Sequence, residues 1–290
     1  MLSIPDILKK VHGLEIKSKK LANDLFSGEY HSAFKGKGML FKEVKEYTAG
    51  DDVRFIDWNV SARFGQTYSK VFEEERELSV MLLIDTSAST LFGSSAERKM
   101  DVATEIAAVI GFAAINNGDK VGAIFYDSEV NAFLPAKKGR QQVLHILRKM
   151  LSENPLQKAT SLADALKFFN NTSRKKSIAF ILSDFLDDNY AEGLRIAAKK
   201  NDVVGIKIYD PLDKNLPNAG LFLAEDLETG ETHWVDTDNA YVKAKYEEAF
   251  FKNTEKTVDI FAKAGASLLH CQTDEDYVRI LKRFFSSRHT

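Results

Sequence analysis

Five oxygen-bearing side chains in this sequence either follow an apolar run or open a helical pattern: Asp85, Ser87, Ser89, Thr160 and Asp184. Asp85 directly follows the apolar run 78–84, and Asp184 closely follows the run 177–182. Because the carboxyl ends of neighbouring parallel strands meet at one edge of a sheet, we expect these side chains to converge there. The spacing therefore predicts a ligand site at that edge.

The residue types in this set indicate which ligand the site would take. Hydroxyl and carboxylate oxygens, with no nitrogen or sulfur among them, match a small, hard cation. Mg²⁺ prefers six oxygen ligands and retains several waters, and Mn²⁺ or Ca²⁺ are the alternatives. We expect the three hydroxyls to bind directly and the two aspartates to neutralise charge, directly or through water. One coordination position then stays free for an external carboxylate.

Each member of the set also has a structural interpretation. A strand-end Asp followed by Ser or Thr is common at the start of a helix, and Thr160 could cap the helix predicted over 161–170. Asp184 could be a turn residue. The joint occurrence of all five at strand ends or a helix start favours the metal site.

The elements that must position these residues alternate between strand and helix from residue 78 onward. The runs 78–84 and 177–182 are expected to be strands buried on both faces of a parallel sheet. A strand pair is expected at 120–126 and 130–134, and further strands at 202–208 and 266–271. Helices are expected at 96–116, 140–151, 161–170, 190–200, 240–264 and 274–287. A hairpin is expected to join 220–224 to 232–235. This alternation predicts an α/β fold with a doubly wound, mostly parallel sheet flanked by helices, in a Rossmann-type topology.

The first part of the chain has a different pattern. Apolar positions at helical spacing predict an amphipathic helix over 4–27 with a basic opposite face. Residues 28–77 are rich in aromatic, glycine and charged residues, and we expect short strands there with turns at 36–38 and 49–51. We therefore expect an N-terminal helix and β-rich arm over 1–77, packing on a main domain over 78–290.

Composition and charge argue against several classes of function. Forty basic and 42 acidic residues give a net charge of −2. The chain as a whole therefore lacks the excess of positive charge that is typical of proteins that bind nucleic acid or an anionic membrane. The one cysteine, Cys271, fits a reducing compartment, and no Cys/His cluster has zinc spacing. The longest apolar stretch, 106–115, is about half of what a bilayer requires. We expect a cytoplasmic protein without a transmembrane segment, which a partner could hold at a membrane.

The set of five side chains carries a resemblance to a known kind of site. The pattern Asp85-x-Ser87-x-Ser89, followed by Thr160 and Asp184, resembles the metal-ion-dependent adhesion site of von Willebrand factor A domains. The upstream segments YTAGDDVRFIDW, SAR and FEEER resemble the bacterial domain-of-unknown-function family fifty-eight. That family is von Willebrand A-like and is typically encoded beside MoxR-type AAA+ ATPases. The resemblance covers most of residues 30–210.

This resemblance implies a binding module rather than an enzyme. It implies that Ser87, Ser89 and Thr160 hold the cation, that the aspartates act mainly through waters, and that a partner's Glu or Asp completes the coordination. It also implies a MoxR-type AAA+ ATPase or a protein client as partner, with this chain as an adaptor in chaperone-like assembly or maturation. Neutral hydroxyl ligands leave a bound cation electrophilic, which favours capture of an acidic side chain.

A second candidate set lies in the arm and consists mainly of charged residues: Asp51, Asp52, Arg54, Asp57, Trp58 and Arg63. These residues predict either a charged network that pins the arm to the main domain or a surface for the partner. Ion-pair networks are more often structural, so we favour the network. We expect Trp58 and Phe55 to fill a core or lie beneath an interface.

The main alternative is a phosphoryl-transfer hydrolase with Asp85 as its nucleophile. A strand-end Asp is suitably placed, but enzymes of the haloacid-dehalogenase kind require a second Asp two residues later as general acid. Ser87 occupies that position and cannot act as an acid near neutral pH. Serine hydrolysis and nucleotide binding are disfavoured because G-x-S-x-G, P-loop and G-x-G-x-x-G motifs are absent.

Overall fold

The computed structural model of the chain describes residues 9, 12–15, 17–18, 21, 39–74, 78–94, 97–152, 160–225 and 230–288. Two compact units are formed, one from Lys35–Glu77 and one from Met1–Phe34 together with Leu78–Thr290. The change of pattern near residue 77 therefore coincides with a unit boundary, whereas residues 1–34 group with the larger unit. The described residues between 9 and 21 are helical. The rest of the helix expected over 4–27, and the turn expected at 36–38, lie outside the described residues.

The smaller unit is built on an antiparallel strand pair. Strand β1 (Met39–Glu46) pairs with β2 (Tyr68–Glu74), and helix α1 (Trp58–Phe64) lies between them in sequence. The carboxylate of Asp57 accepts hydrogen bonds from two backbone amides of the first helical turn, which starts α1. The turn expected at 49–51 is present, with Gly50 at a φ of +114° that suits glycine.

Besides the helical residues between 9 and 21, the larger unit contains eight described strands and seven described α-helices. The strands are β3 (Ser79–Asp85), β4 (Lys120–Tyr126), β5 (Val130–Lys137), β6 (Ile178–Ser183), β7 (Asp202–Tyr209), β8 (Leu221–Glu225), β9 (Thr232–Asp236) and β10 (Ser267–Gln272). The helices are α2 (Lys99–Asn116), α3 (Arg140–Ser152), α4 (Leu162–Thr172), α5 (Ala191–Lys200), α6 (Pro211–Lys214), α7 (Ala240–Ala264) and α8 (Tyr277–Ser287). Among the described residues, the main sheet has the strand order β10-β7-β6-β3-β4-β5, and β8 and β9 form a separate hairpin.

Both faces of the main sheet are covered by helices. Along β3, Val80 and Leu82 pack into a core with α2, α3 and α8, whereas Met81 and Leu83 pack into a second core with α4, α5 and α7. Neighbouring strands are parallel except at the edge, where β5 runs antiparallel to β4. Burial on both faces explains why the strands read as continuous apolar runs. The expected doubly wound, mostly parallel α/β fold is confirmed.

Expected and observed element bounds differ mainly where side chains cap helices. Helix α2 begins at Lys99 rather than 96, and the Asp101 side chain in its first turn accepts a hydrogen bond from Arg98 N at 3.1 Å. Helix α8 begins at Tyr277 rather than 274 because the Asp276 side chain accepts hydrogen bonds from the first amides of the helix. No helix within the described ranges is both long and apolar enough to cross a bilayer.

The winding direction of the sheet changes between β3 and β6. The chain passes from β3 outward to β4 and β5 on one side, and then returns to β6, β7 and β10 on the other. In doubly wound sheets, ligands bind at the carboxyl ends of the strands at such a switch point. Asp85 ends β3, and Asp184 directly follows β6. The fold therefore places both aspartates at this crevice.

The buried carboxylate of Asp210, which directly follows β7, ties three loops together. It accepts hydrogen bonds from Ser94 N (2.8 Å) and Oγ (2.5 Å), Leu212 N (2.9 Å) and Thr273 Oγ1 (3.2 Å). Burial acts to raise the pKa of Asp210, but these hydrogen bonds outweigh it and the pKa is lowered from the usual 3.8.

We expect Asp210→Asn to lower the free energy of unfolding by about 2 kcal/mol at neutral pH, because the amide nitrogen cannot accept hydrogen bonds. Since the folded-state pKa of Asp210 is lowered, its contribution is complete above the unfolded-state pKa and is lost as the pH falls through the folded-state value. Urea unfolding at a series of pH values from neutral downward measures the gap between the wild type and the variant. We expect the gap to shrink below about pH 4. A gap that is independent of pH would contradict this account.

Candidate metal centre

Asp85 is buried at the end of β3 and is held on both carboxylate oxygens. Its Oδ1 accepts a hydrogen bond from Ser87 N at 2.9 Å, and its Oδ2 accepts one from Ser183 Oγ at 2.7 Å. The second contact joins the ends of β3 and β6 across the switch point. Both oxygens are already hydrogen-bonded, so this carboxylate is suited to a supporting role around a cation rather than to direct ligation.

Ser87 and Ser89 bring their hydroxyls together in the loop after β3. Their Oγ atoms lie 3.1 Å apart, and both residues are buried. The loop is a single 3-10 turn over Ala88–Leu91, which is stabilised because Thr90 donates to the carbonyl of Ser87 from N and from Oγ1. Two serines at alternate positions therefore present a preformed pair of oxygen atoms that a cation could use as ligands.

Thr160 supplies a third hydroxyl oxygen, and that atom is unsatisfied. Its Oγ1 is buried and has no hydrogen-bond partner among the described residues. The cap of α4 is Ser161, whose side chain accepts from Asp164 N, so Thr160 does not act as the helix cap. Buried hydroxyls without partners are uncommon in folded proteins, and such an atom is available to a ligand.

The loop that carries Thr160 is attached to the neighbouring strand ends. Ser161 N donates to the Asp127 carbonyl at 2.6 Å, just after β4, and Leu162 N donates to Asp187 Oδ2 at 2.8 Å in the loop after β6. Three of the expected site residues are linked in a chain of hydrogen bonds, which runs from Asp85 through Ser87 to Ser89, and Ser89 also helps to lower the pKa of Asp184. Thr160 stands in an adjoining loop without a direct bond to them.

A buried lysine that sequence reasoning did not identify lies against Asp184. Lys99 is 4% exposed, and its Nζ is 3.0 Å from Asp184 Oδ2 and 3.0 Å from Asp213 Oδ2. Lys99 is the first residue of α2 and stands 85 positions before Asp184 in sequence. No local pattern joins these two residues, because the fold alone brings them together.

A second buried lysine, Lys207, contacts the loop that follows β6. Lys207 of β7 donates to the Asp184 carbonyl at 2.9 Å and to Asn253 Oδ1 at 2.7 Å. Burial lowers its pKa to about 8. A lone lysine within the apolar strand DVVGIKI is a signal that sequence analysis could have used.

The two aspartates differ in electrostatic environment. Burial, and then the neighbouring charge of Asp184, raise the pKa of Asp85. Burial also acts to raise the pKa of Asp184, but the charge and hydrogen bond of Lys99 outweigh it, and the pKa of Asp184 is lowered. The burial cost of Lys99 is likewise outweighed by Asp184 and Asp213, and its pKa is raised. Asp184 and Lys99 therefore form a buried ion pair beside the hydroxyl cluster.

The residue after Asp184 has a strained backbone conformation that its surroundings hold in place. The next residue, Phe185, is the one non-glycine residue in the described part of the chain with a positive φ, +54°. Its N donates to Ser183 Oγ at 3.0 Å, and its buried ring packs edge-on against Phe261 at 5.2 Å. Strained residues of this kind persist where surrounding packing enforces them, often at functional sites.

The donor set fits a hard divalent cation whose direct ligands are hydroxyls. No group of three or more His, Cys, Asp or Glu side chains suited to metal binding occurs in the described ranges, so a carboxylate-rich centre is not supported there. The loops at the carboxyl ends of the strands instead offer two adjacent serine oxygens after β3 and the unsatisfied Thr160 Oγ1 before α4. Small hard cations accept such oxygens, with carboxylates bound through water.

The charged residues of the arm make their described contacts within the smaller unit. Asp51 pairs with Lys45 at 2.7 Å, Asp52 with Arg54 at 2.6 Å, and Asp57 with Lys70 at 3.4 Å. These contacts do not involve Asp85, Ser87, Ser89, Thr160 or Asp184 of the candidate metal centre.

The two remaining members of the arm set, Arg63 and Trp58, lie on the surface. Arg63 is exposed. Trp58 is 70% exposed, so the expectation that it fills a core is wrong. A position beneath an interface with a partner stays a prediction. Phe55 is half-buried.

Strand order, helices on both faces and hydroxyl and carboxylate side chains at the switch point define the class: a doubly wound, mostly parallel α/β domain with a candidate site at the carboxyl ends of its strands. The profile of the family described as "Protein of unknown function DUF58" matches residues 43–256. The chain belongs to this family, as its upstream and strand-end motifs predicted.

A curated relative covers nearly the whole chain. "Uncharacterized protein Rv1480" of Mycobacterium tuberculosis is 30% identical over 287 residues, which is 98% of this chain and 90% of that protein.

Two solved structures are similar at low sequence identity. The conserved hypothetical protein BatB from Bacteroides thetaiotaomicron is 14% identical with a TM-score of 0.46, over 73% of this chain and 98% of that one. The SpRpn10 VWA domain is 13% identical with a TM-score of 0.38, over 72% and 94%. We assign the fold from the strand order of this chain itself.

Proposed function

We propose that this protein is a metal-dependent protein-binding module. Ser87, Ser89 and Thr160 would hold Mg²⁺, with Mn²⁺ or Ca²⁺ as alternatives, and Asp85 and Asp184 would support it through water. The bound ion would supply a Lewis-acidic position for a carboxylate of a partner protein. The observations that carry the proposal are the pair of serine hydroxyls 3.1 Å apart at the switch point and the buried, unsatisfied threonine hydroxyl in the loop that is hydrogen-bonded to the loops after β4 and β6.

The charge balance around the cluster favours an external carboxylate. The Lys99 ammonium offsets the negative charge of Asp184, and the direct donors are neutral hydroxyls. One of the two aspartate charges near the cation position is therefore offset, so an incoming anion meets less repulsion than it would beside two free carboxylates. Lys99 and the neutral hydroxyl ligands therefore favour binding of a partner's Asp or Glu side chain at the free coordination position of the cation.

As partner we propose a MoxR-type AAA+ ATPase or a client protein, with this chain as a cytoplasmic adaptor in chaperone-like assembly or maturation. Membership of the DUF58 family supports this choice, because the resemblance that identified the family also implies that ATPase. The single cysteine, Cys271, is buried and free, which fits a reducing compartment.

Co-purification of the tagged chain with a co-expressed MoxR-type ATPase tests this function. We expect association in Mg²⁺ that is lost on chelation and lost in the double variant Ser87→Ala plus Ser89→Ala. Chelation also strips Mg²⁺ from the nucleotide of an ATPase, so the variant comparison is decisive. Ser128→Ala, in the loop after β4, is the matched control and should associate normally. Equal association of the double variant and the wild type would contradict the function.

The alternative of Asp85 as a phosphoryl-transfer nucleophile gains no support from the site. Both of its carboxylate oxygens accept hydrogen bonds, and the side chain is buried. Burial and the charge of Asp184 raise its pKa, which reduces the ionised fraction that a nucleophile requires.

A further inference from the structure

A large apolar cavity opens beside the candidate metal centre. Its volume is about 890 Å³, and its walls are the β8–β9 hairpin, α6 and α7. The hairpin contributes Phe222, Ala224 and Val235, which are half-buried, whereas the alternate residue Leu223 is 53% exposed on the opposite face. Strand alternation therefore directs one apolar face of the hairpin into the cavity.

The cavity borders on the candidate metal centre. Ser89 and Lys99 are among its lining residues, and Ser89 Oγ lies 3.1 Å from Ser87 Oγ. Leu186, two residues after Asp184, also lines it and is half exposed. A ligand bound at the hydroxyl cluster would therefore border directly on the apolar walls.

We propose that this cavity is an apolar subsite that receives a Leu, Ile, Met or Phe side chain of the same partner segment. The inference rests on the proposed function, since charge complementarity at the metal end fixes where the partner's acidic residue lies. Consecutive Cα atoms are about 3.8 Å apart, so a residue one or two positions from the acid reaches the cavity. A cavity of this size accommodates a large apolar side chain with space remaining. The preferred partner motif is an Asp or Glu next to a large apolar residue.

Selection from a random-peptide phage library on the immobilised full chain tests this preference. Phage are bound in Mg²⁺ and eluted with a chelator, so that only metal-dependent binders are recovered. We expect the recovered peptides to carry an acidic residue with Leu, Ile, Met or Phe within two positions. Recovered peptides with an acid but without an adjacent apolar residue would overturn the subsite and leave the metal-dependent docking standing. Failure to recover any acid-dependent peptide would count against the proposed function itself.

Fluorescence polarisation with the best recovered peptide gives the quantitative test. Changing its apolar residue to Ala should weaken binding to the wild-type chain about tenfold. The variant Ala224→Trp places a large ring in the part of the cavity walled by the hairpin and should bind both peptides with similar, weak affinity. Leu223→Trp adds the same ring on the opposite face of the same strand and should behave as the wild type. Equal binding of the two peptides by the wild-type chain would overturn the subsite.

A second copy of this chain is the competing occupant of the cavity. Analytical ultracentrifugation of the wild type and of Ala224→Trp distinguishes the two cases. A monomer in both is the expected result. A dimer that Ala224→Trp dissociates would overturn the assignment of the cavity to a partner segment.

Discussion

We expect the double variant Ser87→Ala plus Ser89→Ala to lose Mg²⁺ affinity by about 100-fold or more while it keeps its fold. Both direct serine donors disappear, and only the Thr160 hydroxyl remains. The fold should persist because the two hydroxyls bond to each other at 3.1 Å, and the removal of both partners leaves no unpaired donor between them. Asp184 retains its bond from Lys99.

Isothermal titration calorimetry with Mg²⁺ alone measures this loss, and thermal unfolding followed by circular dichroism checks the fold. Ser128→Ala provides the control, because Ser128 follows the adjacent strand β4 and bonds to Asp127 rather than to the cluster. An affinity in the double variant equal to that of the wild type would remove the serines from the metal site. An equal loss in Ser128→Ala would show that the effect is not specific.

Gly205→Ala should lower the free energy of unfolding by about 3 kcal/mol, because one added methyl group would clash with a buried ring. Gly205 lies in the middle of β7, and a Cβ there would come within 2.4 Å of Phe261 Cζ and 3.0 Å of Leu268 Cδ1. The Phe261 ring is buried and packs against Phe185, the strained residue that follows Asp184. Movement of that ring would therefore disturb the metal centre as well as the core.

Urea unfolding of the single and double variants measures this effect. Phe261→Leu should recover part of the loss when it is combined with Gly205→Ala, although it is destabilising alone, because the two sites are in contact. Gly13→Ala is the control, since a Cβ there meets nothing within 4 Å. Additive losses in the double variant would mean that Phe261 is not what the new methyl group meets.

Local sequence signals were sufficient for most of the fold. Strands buried on both faces, such as β3 and β6, appear as continuous apolar runs, and helices with one buried face have a clear period. The hairpin of β8 and β9 was expected near its observed bounds. The position of β10 beside β7 could not be deduced from its own residues, because sheet order depends on packing between distant segments.

The candidate site could be predicted only in part. Asp85 and Asp184 were placed correctly at one crevice because strand direction and winding determine where strand ends meet. Lys99 and its partner Asp213 could not be paired, since their contact depends on how α2 and α6 approach the crevice. Thr160 was correctly placed at the start of a helix, but its lack of a hydrogen-bond partner is visible only in three dimensions.

Anomalous diffraction from crystals soaked in Mn²⁺ tests the central claim most directly. The account predicts a single strong anomalous peak within coordination distance of Ser87 Oγ, Ser89 Oγ and Thr160 Oγ1. Asp85 and Asp184 should approach that peak through ordered waters. No peak between these three hydroxyls, or a peak elsewhere with Thr160 turned away, would contradict the account.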